Sequence, residues 1–180
     1  MQQQTARPNA QMPSGLPPAG CRSAGTGDLL PDITLPTPSG EHVTLGHYSA
    51  LRNLVVVLLG ANAVDESVAH LLTTLTESRA AMIDEETEVL VVQSGERGEW
   101  PAASHPFTMV VDEDAAFHRC VGAVDADGKP APAVFITDRF REIYHVFRPT
   151  DTDWPPSGRD ILEWLVFMNI QCPECGAPEW

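Results

Sequence analysis

The sequence is poor in basic residues and lacks long hydrophobic runs. Its 180 residues include 11 Lys and Arg against 25 Asp and Glu, which gives a formal net charge of −14. Binding to a nucleic-acid backbone or to an anionic membrane surface depends on clustered basic side chains, so this composition argues against both partners. The longest apolar run, at 54–59, is far shorter than the roughly 18 residues of a membrane span.

The first 27 residues contain no aromatic and no acidic residue and are rich in Gln, Pro, Gly, Ser and Ala. Such a segment cannot bury enough apolar surface to offset the entropy lost on ordering, so we predict a disordered tail over 1–27. The tail also lacks the apolar stretch of roughly 7–15 residues that a secretory signal needs. We therefore expect a cytoplasmic protein with reduced thiols, including a free Cys21 in the tail.

The rest of the chain alternates apolar strand patterns with amphipathic helix patterns. The segments 53–59 and 88–93 are apolar almost throughout, which is typical of strands buried on both faces of a sheet. Apolar residues at helical spacing between them predict a helix over about 64–83, capped by Asn62. The remaining predicted elements are strands at 107–111, 133–137 and 142–147, a short helix at 112–120, and a closing helix that begins with the capping pair Ser157 and Asp160. This alternation predicts an α/β fold with a central sheet of mixed direction flanked by helices.

Three segments resemble the redoxins, the peroxiredoxin branch (alkyl hydroperoxide reductase and thiol-specific antioxidant proteins) of the thioredoxin-fold superfamily. They are GDLLPDITLP at 27–36, SGEHVTL at 39–45 and PAVFITD at 132–138. The resemblance implies a thioredoxin-like domain over 28–170, followed by a C-terminal tail at 171–180.

The resemblance also bears on Pro132. In redoxins a proline directly before this strand is cis and lies beside the active site, and Pro132 occupies the matching position. The alternative is an ordinary trans proline at the start of a strand.

The residue that carries redoxin chemistry is missing from its usual place. Redoxins have a nucleophilic Cys in the first turn of the helix after the first central strand, where the helix N-terminus stabilises a thiolate. The matching stretch at 60–68 reads GANAVDESV and contains no Cys. Asp65 and Glu66 suit a helix N-terminus but would repel an anionic nucleophile, and Ser67 beside His70 does not replace a thiolate. We therefore expect no peroxidase or disulfide-exchange chemistry at this position.

The clearest cysteine motif lies at the other end of the chain, where Cys172 and Cys175 form the C-x-x-C of CPECG. The two thiols can act as a redox pair that cycles between dithiol and disulfide. The motif also resembles the knuckle of rubredoxins and zinc ribbons, which supplies half of a four-ligand metal site. His118 and Cys120, or the knuckle of a second chain, could complete such a site. Otherwise Cys120, on an apolar helix face, is expected to be a buried structural thiol.

Two functions from different classes follow. The first is a redoxin-family oxidoreductase without a cofactor, in which Cys172 and Cys175 do the thiol chemistry and a thiol reductant is the partner. The second is a non-catalytic thioredoxin-fold protein that binds a protein partner, with its C-terminal knuckle holding zinc or forming a homodimer contact.

Overall fold

The computed structural model describes residues 23–61, 66–95 and 105–171. Its strands are β1 (Thr34–Pro36), β2 (His42–Thr44), β3 (Asn53–Leu58), β4 (Thr87–Ser94), β5 (Thr108–Asp112), β6 (Ala133–Thr137) and β7 (Ile143–Phe147). Its helices are α1 (Glu66–Asp84), α2 (Ala116–Cys120) and α3 (Gly158–Ile170), with a 3-10 turn at Leu45–Tyr48. The predicted helix cap Asn62 lies outside the described residues. Within the described ranges no helix combines the length and apolarity needed to cross a membrane.

The central sheet has five strands in the order β5-β4-β3-β6-β7. β3 pairs in parallel with β4, and β4 pairs in parallel with β5. β6 runs antiparallel to β3, and β7 runs antiparallel to β6. A separate antiparallel hairpin consists of β1 and β2. The structure thus confirms the mixed sheet flanked by helices that the sequence pattern predicts.

The middle strand β3 explains the two-layered core. All six of its residues are buried, which is why its sequence is apolar without alternation. Val55 and Val57 pack with the apolar faces of α1 and α3 on one side of the sheet. Leu54 and Val56 pack on the other side with Phe117 of α2. The two long helices and the short α2 therefore lie on opposite faces of the sheet.

The ends of α3 are fixed by specific hydrogen bonds. At its start Ser157 and Asp160 form the predicted capping box, in which the Ser157 N–H donates to Asp160 Oδ2 over 2.8 Å. Near its end Asn169 Nδ2 donates to Glu85 Oε2 over 2.7 Å, and Asn53 Nδ2 donates to Asn169 Oδ1 over 2.9 Å. These bonds place the C-terminal end of α3 at the end of the sheet where β3 begins.

The last residues of the predicted tail, 23–27, are held against the domain by backbone hydrogen bonds. The Ala24 N–H donates to Val121 O over 3.1 Å, and the Gly27 N–H donates to Ile143 O over 2.8 Å. Ala24 is buried, with 6% of its surface exposed. Residues 23–27 lack large apolar side chains but are held through their backbone, which composition does not reveal.

Candidate functional site

A cleft of about 680 Å³ opens at the end of the sheet where β3 ends. Its position fits the general tendency of α/β sheets to bind ligands beyond the carboxyl ends of their parallel strands. The cleft is walled by the turn that follows β3, the loop after α2, the segment leading into β6 and the segment after β7. The lining residues are Gly60, Ala61, Val68, 122–126, 129–133 and 148–150.

The floor of the cleft is a junction of closely packed backbone segments. A Cβ added to Gly60 would lie 2.9 Å from Cδ of Pro132, so a side chain at position 60 would force β3 and the segment before β6 apart. The Ala61 N–H donates to Pro130 O over 3.0 Å, and the Ala131 N–H donates to Ala123 O over 3.0 Å. These contacts hold three separate parts of the chain together beneath the opening.

The peptide bond before Pro132 differs from the cis bond that the redoxin resemblance implies. Among the described residues the cis peptide bond lies at Trp154–Pro155, which leaves the bond before Pro132 trans. The flanking hydrogen bonds of Pro130 and Ala131 hold this segment extended as it enters β6. A trans proline is suited to that place, because the first position of a strand can do without an N–H donor. The expectation of a cis bond at Pro132 is corrected accordingly.

Two cations lie at the edge of the cleft, the half-buried Arg148 and the exposed Lys129. Arg148 Nη2 donates to Ala24 O over 2.7 Å, and its guanidinium lies 5.7 Å from the centre of the Phe135 ring. Lys129 has 67% of its side chain exposed, with Asp127 Oδ2 4.0 Å away. Arg148 therefore has a structural role, whereas Lys129 is available to an anionic group that approaches the rim.

No cysteine is found among the lining residues that the structure describes. Residues 62–65, part of the stretch that matches the redoxin cysteine turn, lie outside the described ranges and read NAVD. Cys172 and Cys175 also lie outside them, so their candidate roles as redox pair or metal ligands stay predictions. Within the described ranges no group of three or more His, Cys, Asp or Glu side chains is arranged to hold a metal ion.

A buried His–Asp pair, absent from the sequence-based predictions, anchors the end of β3. His118 Nδ1 lies 2.7 Å from Asp112 Oδ2, and His118 Nε2 lies 2.9 Å from Leu59 O. The two side chains are 0% and 1% exposed. A carbonyl oxygen can only accept, so Nε2 donates to Leu59 O, and Nδ1 faces the Asp112 carboxyl group. Both ring nitrogens therefore have a buried hydrogen-bond partner.

Asp112 is also the N-terminal anchor of α2. Its carboxylate accepts the N–H of Phe117 over 3.2 Å and the N–H of His118 over 3.0 Å. Burial alone would raise the pKa of Asp112, but the hydrogen bonds from His118 and Phe117 and the charge on His118 lower it below its usual value. The pair thus joins α2, the end of β5 and the residue that leads into the cleft floor.

The structure also rules out two expected roles in the segment His118-Arg119-Cys120. Both ring nitrogens of His118 are engaged, and Cys120 is disulfide-bonded. Cys120 is buried as expected, with 8% of its surface exposed, but it is not a thiol. Neither side chain is therefore available to complete a zinc site with the C-terminal knuckle.

The lowered pKa of Asp112 predicts a loss of stability in acid. A carboxyl group whose pKa is lower in the folded state than in the unfolded state stabilises the fold at pH values above its unfolded-state pKa. This contribution is lost as the pH falls through its folded-state pKa. We expect the free energy of unfolding to drop as the pH falls below about 4. Asp112→Asn should flatten this dependence and lower stability at neutral pH, as measured by urea unfolding at a series of pH values. Asp127→Asn, at an exposed position, is the matched control. Equal pH slopes for Asp112→Asn and the wild type would contradict the prediction.

Comparisons with known proteins agree on the fold. No family model matches the sequence, and no curated protein is significantly similar to it. Among solved structures, the fold is similar to AhpC from Mycobacterium tuberculosis, with a TM-score of 0.68 and 17% identity over 87% of this chain and 100% of that chain. Peroxidoxin BcpB from the same organism gives a TM-score of 0.67 with 13% identity over 82% of this chain and 99% of that chain.

A thiol:disulfide interchange protein shares the architecture as well. The putative DsbE from Chlorobium tepidum has a TM-score of 0.60 and 20% identity, over 78% of this chain and 97% of that chain. At such identities the likeness shows the fold and not the activity. The chain therefore has the thioredoxin-like fold of the redoxins, which confirms the fold implied by the sequence resemblance.

Proposed function

We propose that this protein is a redoxin-type thiol oxidoreductase whose chemistry rests on Cys172 and Cys175. The observation that carries the proposal is the distribution of cysteines. The described lining of the cleft contains none, and Cys120 is already in a disulfide. The fold shared with peroxiredoxins and with a thiol:disulfide interchange protein supports the redox class. The C-x-x-C motif supplies two thiols close enough in sequence to form and break a disulfide with each other.

The proposed cycle uses a hydroperoxide as oxidant and a dithiol as reductant. The thiolate of one cysteine attacks a peroxide oxygen, which forms a sulfenic acid and releases an alcohol or water. The second thiol then attacks the sulfenic sulfur, and the disulfide forms with loss of water. A dithiol partner returns two electrons and two protons through a mixed disulfide, which restores both thiols.

The alternative function, a zinc knuckle on a non-catalytic binding protein, is less well supported. His118 and Cys120 are engaged elsewhere, so a four-thiolate zinc site would require the Cys172 and Cys175 of a second copy. This alternative therefore implies a zinc-dependent homodimer, whereas the redox pair functions within one chain.

The test is peroxide turnover by the full chain with dithiothreitol as the reductant, after treatment with a chelator. We expect Cys172→Ser and Cys175→Ser each to abolish turnover. Ser67→Ala, at the helix start where redoxins carry their nucleophile, is the matched control and is expected to turn over like the wild type. Full turnover by Cys172→Ser would overturn the proposal, and so would an inactive wild type that dimerises through bound zinc.

A further inference from the structure

Cys120 is disulfide-bonded at the C-terminal end of α2, and it is the only cysteine among the described residues. The chain has four cysteines, so the partner is Cys21, Cys172 or Cys175. A disulfide requires the two Cα atoms to approach within about 4.4–6.8 Å. The choice among the three therefore depends on how far the chain can reach from the described residues nearest to each.

We infer that Cys120 is bonded to Cys21, which ties the N-terminal segment covalently to the end of α2 at the rim of the cleft. Ser23 lies directly against Gly122, since a Cβ added to Gly122 would be 2.7 Å from the Ser23 Cα. The neighbouring Ala24 N–H donates to Val121 O over 3.1 Å. Cys21 and Cys120 are each two residues from this contact, a span of at most about 7 Å on either side.

Arg148 fixes the same contact from a third direction. Its Nη2 donates to Ala24 O over 2.7 Å, and its Nη1 donates to Gly122 O over 3.4 Å. The guanidinium thus joins the two backbone segments that the disulfide would link. Ser23 and Ala24 are therefore held beside the end of α2 by non-covalent contacts, two and three residues along the chain from Cys21.

The described end of α3, which precedes the two C-terminal cysteines in the chain, lies at the other end and on the other face of the sheet from Cys120. Asn169 bonds Asn53 at the start of β3, whereas His118, two residues before Cys120, bonds Leu59 just past its end. The six-residue step from Asn53 to Leu59 covers about 20 Å along an extended strand. In addition, α3 packs on the sheet face opposite to α2.

Chain length then separates the candidates. The three residues from Asn169 to Cys172 span at most about 10 Å, which is half of the roughly 20 Å between the two ends of β3. Six residues to Cys175 span about 21 Å when fully extended, which leaves almost no length to pass round to the opposite face. Cys21 alone reaches Cys120 with length to spare, and this pairing leaves Cys172 and Cys175 as thiols.

Formation of the bond is an ordinary thiol–disulfide exchange. Oxidised glutathione accepts two electrons from the two thiols through a mixed disulfide, and two molecules of reduced glutathione leave with the two protons. The expectation of a free Cys21 thiol in a disordered tail is replaced by a closed bond under these conditions.

Peptide mapping of the full chain tests the pairing. The protein is equilibrated with oxidised glutathione, its remaining thiols are blocked with N-ethylmaleimide in denaturant, and it is digested with trypsin without reduction. Cleavage after Arg22, Arg119, Arg139 and Arg159 puts Cys21 in fragment 1–22, Cys120 in fragment 120–139, and both C-terminal cysteines in fragment 160–180. We expect a mass equal to 1–22 plus 120–139 that disappears on reduction.

Two variants sharpen this result. In Cys21→Ser, fragment 120–139 should carry N-ethylmaleimide or glutathione at Cys120 in place of a linked peptide, whereas the Cys172→Ser and Cys175→Ser double variant should keep the linked mass of 1–22 with 120–139. A linked mass of 120–139 with 160–180, or a Cys120 that is alkylated in the wild type after oxidation, would overturn the inference. The readout is a covalent mass and does not depend on peroxide turnover, so the pairing and the proposed activity can fail separately.

Discussion

Replacing His118 with leucine is expected to lower the free energy of unfolding by about 3–5 kcal/mol. The substitution leaves the Asp112 carboxylate 1% exposed and without its counter-ion, while the two backbone N–H donors of α2 remain. Loss of one partner of a buried ion pair is costly chiefly because the other charge stays buried. Urea unfolding at neutral pH measures the effect.

The matched control is His70→Leu. His70 is an exposed residue of α1, and its replacement should change stability by no more than about 0.5 kcal/mol. The free energy of unfolding of the double variant His118→Leu with Asp112→Asn should fall by less than the sum of the two single losses, because the double variant has no unpaired buried carboxylate. A His118→Leu protein as stable as the His70→Leu protein would show that the pair does not anchor the end of β3.

Removal of the Cys120 disulfide is expected to have the second largest effect on stability. Pairing with Cys21 closes a loop of about 100 residues, and such a bond stabilises a fold by roughly 2–4 kcal/mol, mainly through the constraint it places on the unfolded chain. We expect Cys120→Ser and Cys21→Ser to lose similar amounts when unfolding is measured without reductant.

The C-terminal cysteines supply the control for this prediction. Cys175→Ser lies outside the bond, so its free energy of unfolding should match that of the wild type. In the presence of dithiothreitol the wild type should fall to the stability of Cys21→Ser. Equal stability of Cys120→Ser and Cys175→Ser without reductant would contradict the account of the bond.

The sheet was the most predictable part of the molecule from the sequence. β3 is covered on both faces, so its pattern is continuously apolar, and β4 and β6 follow the same rule. The start of α3 is also predictable from the sequence, because Ser157 and Asp160 form a capping box within four consecutive residues. Local patterns of this kind depend only on neighbours in the chain.

The predicted helix at 112–120 shows where local patterns fail. Asp112 is the last residue of β5, and α2 begins only at Ala116. Ala115 has a left-handed backbone with φ of 54°, which turns the chain so that the Asp112 carboxylate caps the helix from five and six residues away. An alanine in this conformation has no sequence signature.

The contacts that define the candidate site lie even further apart in the chain. His118 meets the carbonyl of Leu59 across 59 residues, and Arg148 meets Ala24 across 124 residues. Sequence reasoning treated His118 as a candidate metal ligand because residue type was all that it offered. The missing redoxin cysteine, by contrast, could be identified from the sequence alone, since it concerns one stretch of nine residues.

The central claim is that Cys172 and Cys175 are the redox-active thiols, and the most direct test is a thiol count. Chelator-treated protein is unfolded and its thiols are titrated before and after exposure of the native protein to mild peroxide. With two of the four cysteines in the Cys21–Cys120 bond, the count should fall from two to none in the wild type. The two lost thiols should be recovered as a Cys172–Cys175 disulfide, which neither serine variant can form. Two thiols that survive peroxide in the wild type would contradict the claim and leave a redoxin fold without redox chemistry at its C-terminal motif.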